Sequence, residues 1–366
     1  MLPVNERLLL GPGPSPVSPR VQQALSAPQR SHLDPELLAL LDDIRARLTR
    51  IFRAPDGALV LAVSGTGTTA METVVANLVE PGRRALCIVT GYFGDRLAGM
   101  VARHGAAVDR VDVEWGRAVD PAAVRRSLEH GACDLVTVVH AETSTGVRNP
   151  IEEVASAARR AGAIVIADVV TSLGALPLDM AACDLDVCYS CSQKGLGAPS
   201  GLSPIAFGPR ALARRVACQN FALDLALLED YWLRRKYHHT ISAPLVYALA
   251  VALVEVEEEG LERRWARHES VHRQLVAGLS ALGLDVLPTE ADRLWSLNAI
   301  RVPEGISEAA VRSHLLEGHN IEIGAGLGPL AGKIWRVGLM GSGATQDNVD
   351  RLLRALPTAL AAGRLA

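Results

Sequence analysis

The sequence predicts an α/β fold with a large domain on a mixed, mostly parallel sheet and a smaller C-terminal α+β domain. From residue 59 onward, short runs rich in Val and Ile alternate with helical stretches, which is typical of βαβ units. The apolar runs at 187–190 and 204–207 lie too close together for a crossover helix, so we expect one antiparallel strand there. With 366 residues, the chain is long enough for two domains and a ligand cleft between them.

The pattern of apolar residues predicts the individual elements and a boundary near residue 260. In the first part, strands are expected at 58–63, 84–89, 135–140, 163–168, 187–190 and 204–207, and helices at 68–78, 95–103, 151–161 and 244–254. In the last part, helices are expected at 261–282, 307–317 and 348–360, and strands at 294–302, near 321 and at 334–339. The predicted division is an N-terminal segment at 1–15, a large domain at 16–259 and a small domain at 260–366.

Charge and hydropathy exclude several classes of partner. Acidic and basic residues are interspersed and the formal net charge is −3, so neither nucleic acid nor an anionic membrane is an expected partner. The apolar stretch 244–254 meets four glutamates at 255–259 before it is long enough to span a bilayer, and residues 1–14 do not form a signal peptide. Small-molecule chemistry is the remaining expectation.

The six cysteines are scattered through apolar stretches, which favours buried free thiols over a disulfide framework. Cys188 and Cys191 form a C-x-x-C pattern, but no second Cys/His pair lies at zinc spacing, so we expect no metal. A reducing, cytoplasmic location fits this cysteine usage.

A glycine-bearing turn, 64–70, follows the first strand and opens a helix. Its backbone N–H groups, its hydroxyls and the helix dipole converge on one point, which suits a phosphate. A P-loop is excluded because no Gly-Lys-Ser/Thr closes the turn, and a dinucleotide site lacks the acid expected after strand 84–89. A tight turn that needs glycine for backbone reasons alone remains the alternative.

Asp168 and Lys194 each follow a predicted strand, where side chains face the ligand crevice of an open α/β sheet. Pyridoxal phosphate (PLP) needs a lysine amine, an acid beside its pyridine nitrogen and a phosphate cradle, and the turn at 64–70 supplies the third part. The alternative is that Asp168 caps a turn and Lys194 is a solvated loop lysine.

Motifs along nearly the whole chain resemble one family, the class V aminotransferases of the alanine-glyoxylate and serine-glyoxylate type. They are Leu8-Leu-Leu-Gly-Pro-Gly-Pro14, Ser64-Gly-Thr-Gly67, Glu142-Thr-Ser-Thr-Gly146, Asp168 with Thr171-Ser-Leu-Gly174, Ser190-x-Ser-Gln-Lys194, Ala198-Pro-x-Gly201, Tyr237-His-His-Thr240 and Trp335-Arg-Val-Gly338. The resemblance implies the PLP-dependent transferase fold of type I, with PLP as cofactor.

The resemblance also implies a role for each cofactor-binding residue. Lys194 would carry PLP as a Schiff base, Asp168 would pair with the pyridine nitrogen, and Thr143 would contact the phenolic side. Val170 would pack on one face of the ring and Phe93 on the other, although an ordinary core aromatic is the alternative for Phe93. The residues expected at the phosphate end are Thr66, Gly67, Thr68 and Gln193.

For the substrate, the resemblance implies that Arg336 binds the carboxylate, with Gly13 also at the substrate. A guanidinium offers the bidentate geometry that a carboxylate requires, whereas a surface arginine is the alternative reading of Arg336. Tyr237 and Thr240 would reach the phosphate of a neighbouring subunit, which implies a homodimer with shared active sites. Segment 1–15 would lie at the active site and the dimer interface.

The implied reaction is transamination from a small L-amino acid, alanine or serine, to glyoxylate, giving glycine and a 2-oxo acid. Thr68, Phe93 and Thr143 look closer to plant serine-glyoxylate enzymes, whereas segment 237–240 leans towards the alanine-glyoxylate group, so the donor stays open. Another small amine or 2-oxo acid, or a PLP-dependent lyase, is the alternative.

A cysteine desulfurase would need a late cysteine, and none follows Cys218. A PLP-fold regulator would have lost Lys194, and a nicotinamide dehydrogenase has only the glycine turn in its favour.

Overall fold

A computed structural model describes residues 6–365, so the first five residues of the predicted N-terminal segment and Ala366 lie outside the described residues. The strands are β1 (Leu8–Leu9), β2 (Leu59–Gly65), β3 (Arg84–Val89), β4 (Ala107–Asp112), β5 (Leu135–Val139), β6 (Ala141–Glu142), β7 (Val147–Arg148), β8 (Ile164–Asp168), β9 (Val187–Tyr189), β10 (Gly201–Phe207), β11 (Leu297–Arg301), β12 (Ile321–Glu322), β13 (Gly324–Ala325) and β14 (Ile334–Gly338). The helices are α1 (Pro19–Ala24), α2 (Pro35–Phe52), α3 (Gly67–Leu78), α4 (Tyr92–Arg103), α5 (Pro121–Leu128), α6 (Ile151–Arg160), α7 (Pro209–Leu212), α8 (Leu225–Arg234), α9 (Ala243–Glu259), α10 (Leu261–Ala281), α11 (Glu308–His319) and α12 (Gln346–Ala362). Across these described residues, every helix is too short or too polar to traverse a bilayer.

The central sheet has seven strands in the order β2-β10-β9-β8-β5-β3-β4. Strand β10 pairs antiparallel with both β2 and β9, while the pairs from β9 to β4 are parallel. The predicted mixed, mostly parallel sheet with an antiparallel strand at 204–207 is therefore confirmed. Because β5 and β8 are buried along their whole length, their sequences are continuous apolar runs rather than alternating ones.

Several elements of the large domain were not predicted, among them β4 and α2. Strand β4 lies at the edge of the sheet, pairs only with β3, and its residues are partly or fully exposed, so it lacks the apolar run that marks the inner strands. Helix α2 precedes the first predicted βαβ unit. Asp34 caps it by accepting hydrogen bonds from Glu36 N and Leu37 N, and Pro35 occupies its first turn.

A smaller antiparallel sheet, ordered β11-β14-β13, lies near the C-terminus. The N-terminal segment is joined to this part of the fold, because β1 pairs in parallel with β12 and the N–H of Gly338 donates to the carbonyl of Leu10 at 2.8 Å. These backbone bonds fix the start of the chain, 8–10, against residues more than three hundred positions away. Segment 11–14 then continues towards the carboxyl ends of the large sheet.

Buried side chains form two main apolar clusters. One extends from Val21 to Val256, and the other contains Leu10 together with residues between Val271 and Ala359. Helices α9 and α10 meet at Gly260, whose φ of 80° is favourable for glycine. We therefore propose the division between large and small domains at residue 260.

Asn149 ties together three parts of the large sheet from a buried position. Its amide nitrogen donates at 2.8 Å both to Thr90 Oγ1, after β3, and to the carbonyl of Val139, at the end of β5. Its amide oxygen accepts from Val119 N at 3.0 Å. The Asn149 side chain therefore provides hydrogen-bond partners for Thr90, Val119 and Val139, which lie on three different segments.

We expect Asn149→Ala to lower the free energy of unfolding by about 3 kcal/mol, because it leaves several buried polar groups without partners. The measurement is a urea titration followed by circular dichroism. Gln219→Ala, which removes an exposed amide, is the matched control and should leave the midpoint unchanged. Equal midpoints for Asn149→Ala and the wild-type protein would contradict this account of the sheet.

Candidate active site

A cavity of about 150 Å³ lies at the carboxyl ends of β5 and β8, beside the start of α3. This is where ligands bind in open α/β sheets. The predicted residues that line the cavity are Thr66, Gly67, Thr68, Phe93, Thr143, Asp168, Val170, Gln193 and Lys194. The structure therefore brings residues from five separate segments of the chain around one space.

Asp168 ends β8 and is 3 % exposed. Its Oδ1 accepts a hydrogen bond from Val170 N at 2.9 Å, and its Oδ2 accepts one from the hydroxyl of Tyr189 at 2.8 Å. Burial raises the pKa of Asp168 to about 7, although both hydrogen bonds and the nearby Lys194 favour the carboxylate. A buried carboxyl that titrates near neutral pH is a typical component of an active site.

Lys194 lies in the turn after β9, and its Nζ donates a hydrogen bond to the carbonyl of Pro12. Burial lowers the pKa of Lys194, and the positive charge of Arg336 lowers it further. Gly13, with a φ of 110°, lies directly against this side chain: a Cβ there would be 2.7 Å from Lys194 Cε. The φ of Gly13 favours glycine, and the absence of a Cβ leaves the lysine in this position.

The first turn of α3 faces the cavity. Thr66 precedes the helix, and its N–H donates to Thr69 Oγ1 at 3.3 Å, which holds the turn that presents Gly67 and Thr68. Helix N-termini attract anions because their N–H groups and dipole point the same way. Gln193, on the same cavity, has a buried Oε1 without a hydrogen-bond partner in the part of the chain described.

The position of Phe93 depends on the buried side chain of Glu142. Glu142 Oε2 accepts from the N–H groups of Phe93 and Gly94 at 3.2 and 3.1 Å, at the start of α4. Its Oε1 accepts from both the N–H and the hydroxyl of Ser144. Gly91 permits this approach, because a Cβ there would be 2.6 Å from Glu142 Cγ.

Arg336 lies on β14 and reaches the large sheet. Its Nε donates to the carbonyl of Ala325 at 2.6 Å, and its Nη1 lies 3.4 Å from the carbonyl of Thr143. Burial lowers the pKa of Arg336 to about 10, and the charge of Glu142 opposes this shift. Arg336 as a whole is 7 % exposed, so its guanidinium is held among buried groups that include the carbonyls of Ala325 and Thr143.

Tyr237 and Thr240, which were also predicted to bind the cofactor, lie away from the cavity. Both are exposed, Tyr237 by 64 %, and neither lines the cavity of its own chain. They belong to the irregular segment between α8 and α9, in which His239 Nε2 lies 2.7 Å from Ser64 Oγ. The structure thus separates these two residues from the other candidate cofactor-binding residues.

Two residues near the cavity were missed by the sequence reasoning. Arg96 lines the cavity, donates to Thr68 Oγ1 at 3.2 Å and has its guanidinium 5.2 Å from the Phe93 ring centroid. Tyr189 bonds Asp168 from the neighbouring strand. Arg96 lies one turn after Phe93 on α4, so the helical spacing of the two residues could have placed both at the cavity. The contact between Tyr189 and Asp168 depends on the register of two strands, which the sequence pattern does not give.

No group of three or more His, Cys, Asp or Glu side chains within residues 6–365 is arranged to hold a metal ion. The six cysteines are unpaired, and four of them are buried.

Comparison with known proteins agrees with this geometry. The family model "Aminotransferase class-V" matches residues 18–352. Alanine–glyoxylate aminotransferase from Drosophila melanogaster is 35 % identical to this chain, and the match covers 99 % of this chain and 94 % of that protein. (S)-Ureidoglycine–glyoxylate transaminase from Bacillus subtilis is 32 % identical, and the match covers 97 % of this chain and 90 % of that protein. The crystal structure of alanine–glyoxylate aminotransferase from Nostoc sp. superimposes with a TM-score of 0.96 and 44 % identity, covering 98 % of this chain and 96 % of that one. The chain therefore belongs to the class V aminotransferases, a family that implies pyridoxal phosphate as cofactor and an amino acid and a 2-oxo acid as substrates.

Proposed function

We propose that this aminotransferase moves the amino group of a small L-amino acid, alanine or serine, to glyoxylate, using PLP held by Lys194. The observation that carries the proposal is the placement of Lys194, Asp168 and the N-terminus of α3 around one cavity. The similarity to glyoxylate-dependent relatives from Drosophila melanogaster and Bacillus subtilis supports the choice of acceptor. Both alanine and (S)-ureidoglycine appear among the donors in the relatives' names, so the donor is the part to be measured.

The residues present fit PLP. The unpartnered Oε1 of Gln193 belongs to a side-chain amide that can bind a phosphate through its nitrogen once the group rotates. Thr66, Gly67 and Thr68 would hold the same phosphate at the start of α3. Arg96, which bonds Thr68, would add a positive charge at this end of the cavity.

The ring of PLP would lie between Phe93 and Val170, with Asp168 at its nitrogen and Thr143 at its phenolic side. When bound, PLP supplies an electron-withdrawing ring that stabilises negative charge at the substrate's Cα. Asp168 serves this chemistry as a carboxylate that keeps a proton on the ring nitrogen. The carbonyl of Pro12 and the backbone of Gly13 close the side of Lys194 that faces the N-terminal segment.

Lys194 acts as nucleophile towards the cofactor and then as base towards the substrate. Burial favours the neutral amine, which is the form that both roles require. Once its amine is free, Lys194 Nζ would be the base that takes the proton from the substrate's Cα. Arg336 would bind the substrate carboxylate, and its bonds to the carbonyls of Ala325 and Thr143 hold the guanidinium in place for that role.

The experiment that tests the function is a half-reaction. The protein is loaded with PLP, and its visible absorption band is recorded before and after L-alanine, L-serine or (S)-ureidoglycine is added without an acceptor. We expect one donor to bleach the band and glyoxylate to restore it, because the amino group is then passed on.

Lys194→Ala is the control and should show no lysine-dependent band and no half-reaction. Lys236→Ala removes an exposed lysine that pairs with Asp230 and should behave like the wild-type protein. An unchanged band in Lys194→Ala would refute the assignment of Lys194, and failure of glyoxylate to restore the band would refute the acceptor.

Asp168→Asn should bind some PLP but lose most turnover, because an amide cannot keep the ring nitrogen protonated. A second readout uses the protein without cofactor. The pKa of Asp168 is about 7 in the folded chain against 3.8 for an aspartate side chain in water, so the folded state binds more protons between these values. Its stabilising contribution is present at low pH and is lost as the pH rises from about 4 to 7.

We therefore expect the stability of the wild-type apoprotein, relative to Asp168→Asn, to fall by roughly 3 kcal/mol between pH 4.5 and 7.5. Urea titrations of both proteins at pH 4.5 and 7.5 measure this difference, and comparing the two cancels the other titrating groups. A constant difference across pH, or comparable turnover in the two proteins, would contradict the role given to Asp168.

We also propose that the enzyme is a homodimer in which Tyr237 and Thr240 complete the partner's phosphate site. The exposure of both residues, and their absence from the cavity of their own chain, support this arrangement. A phenol and a hydroxyl offer the donors that a phosphate accepts. Each active site would then contain residues from both subunits.

Mixing two inactive variants tests this arrangement. Lys194→Ala lacks the lysine, and Tyr237→Ala combined with Thr240→Ala lacks the proposed partner residues. If sites are shared, each mixed dimer contains one intact site, and exchange of subunits should restore up to about a quarter of wild-type activity. No recovery after verified subunit exchange would show that the two sets of residues act within one chain.

A further inference from the structure

We propose that Tyr189 is a positioning residue for Asp168: its hydroxyl holds this carboxyl in the anionic form that keeps a proton on the ring nitrogen of the cofactor. The inference deepens the proposed function and rests on it. Tyr189 does not line the cavity itself, and its hydroxyl bonds the cavity-lining Asp168.

The contact is a consequence of strand register. Strands β8 and β9 are parallel neighbours, and Asp168 is paired with Tyr189 at the last position of the ladder. The Tyr189 hydroxyl donates to Asp168 Oδ2 at 2.8 Å, while Val170 N donates to Oδ1 at 2.9 Å. Each carboxylate oxygen therefore has one protein donor, and each oxygen keeps a further lone-pair direction for another partner.

Burial makes this hydrogen bond consequential. Tyr189 is 0 % exposed and Asp168 is 3 % exposed, so no bulk water can replace the hydroxyl if it is removed. Hydrogen bonds to charged groups in such surroundings are stronger than those between neutral groups. The pKa of Tyr189 is raised well above its usual value, chiefly by burial, so the phenol stays protonated and acts as a donor to the carboxylate.

Other buried and charged groups also shift the pKa values of Asp168 and Tyr189. Glu142 raises the pKa of Asp168, whereas Lys194 lowers it. Arg96 lowers the pKa of Tyr189, and Cys191 is a buried neutral thiol whose pKa is raised to about 12 by burial. Burial opposes the carboxylate most strongly, and the bonds from Val170 N and Tyr189 oppose that effect.

Removing the Tyr189 hydroxyl should therefore shift the proton between the ring nitrogen and Asp168 towards Asp168. Without the Tyr189 bond, Asp168 is more basic and competes better for the proton that it shares with the ring nitrogen. The ring nitrogen then spends more time unprotonated, and the ring withdraws electrons less strongly. The predicted defect is electronic, while the packing of the aromatic ring is retained in Tyr189→Phe.

The test compares Tyr189→Phe with wild type, both loaded with PLP that carries ¹⁵N in its ring. We expect the ring-nitrogen signal to move towards that of unprotonated pyridine, and the half-reaction with the donor found above to slow about tenfold. Incorporation of 3-fluorotyrosine at position 189, which makes the phenol a stronger donor, should shift the signal in the opposite direction.

Tyr231→Phe is the matched control, because the Tyr231 hydroxyl is also buried on the large domain and donates to the carbonyl of His32 at 3.1 Å. It should leave the nitrogen signal and the rate unchanged. A slower Tyr189→Phe with an unmoved nitrogen signal would assign Tyr189 a packing role and overturn the inference. If Tyr189→Phe does not fold, an unmoved signal with 3-fluorotyrosine overturns it equally.

The two proposals can fail separately. Wild-type protein that forms no visible band with PLP would remove the proposed function and this inference together. A normal band and normal half-reaction in the wild type, with both properties unchanged in Tyr189→Phe, would remove this inference alone.

Discussion

The buried carboxyl of Asp168 is the constraint on which the site depends. A carboxylate this deep in the protein is costly to desolvate, and it persists only where donors and a nearby cation compensate. The protein supplies Val170 N and the Tyr189 hydroxyl as donors, and the charge of Lys194, when its amine is protonated, lowers the pKa of the carboxyl further. The order β9-β8-β5 in the parallel sheet brings these groups to one edge, so the sheet topology is a requirement of the chemistry.

A second layer of buried polar groups holds the walls of the cavity. Glu142 binds the first N–H groups of α4 and thereby places Phe93, while Arg336 reaches Thr143 from the smaller sheet. Each of these contacts joins residues that are distant along the chain. The cavity walls are therefore held by hydrogen bonds between segments that are far apart in the sequence.

The N-terminal segment completes the site in a similar way. Its backbone pairs with β12, and its Pro12 carbonyl then accepts a hydrogen bond from Lys194. A backbone carbonyl on a neutral segment orients the amine without adding a charge that would raise its pKa. This arrangement is consistent with a lysine that must spend part of its cycle as a neutral nucleophile.

Local patterns in the sequence determined much of the fold and the central part of the site. The apolar run of β8, the glycine turn before α3 and the antiparallel β10 were all predictable, because burial and turn geometry act on neighbouring residues. The positions of Asp168 and Lys194 at strand ends followed from the same patterns, and the family resemblance supplied their proposed roles. Strand β4 escaped prediction because an edge strand needs no apolar run.

Only the tertiary structure decided which groups meet. The hydroxyl of Tyr189 donates to Asp168 because the register of β8 and β9 places the two residues side by side. Arg96 donates to Thr68 because α3 and α4 both begin at the cavity. The Pro12 carbonyl reaches Lys194 across 182 positions of sequence. Hydropathy and turn signals report the environment of a residue and its near neighbours, whereas these contacts depend on how whole elements pack, and that information is spread over the entire chain.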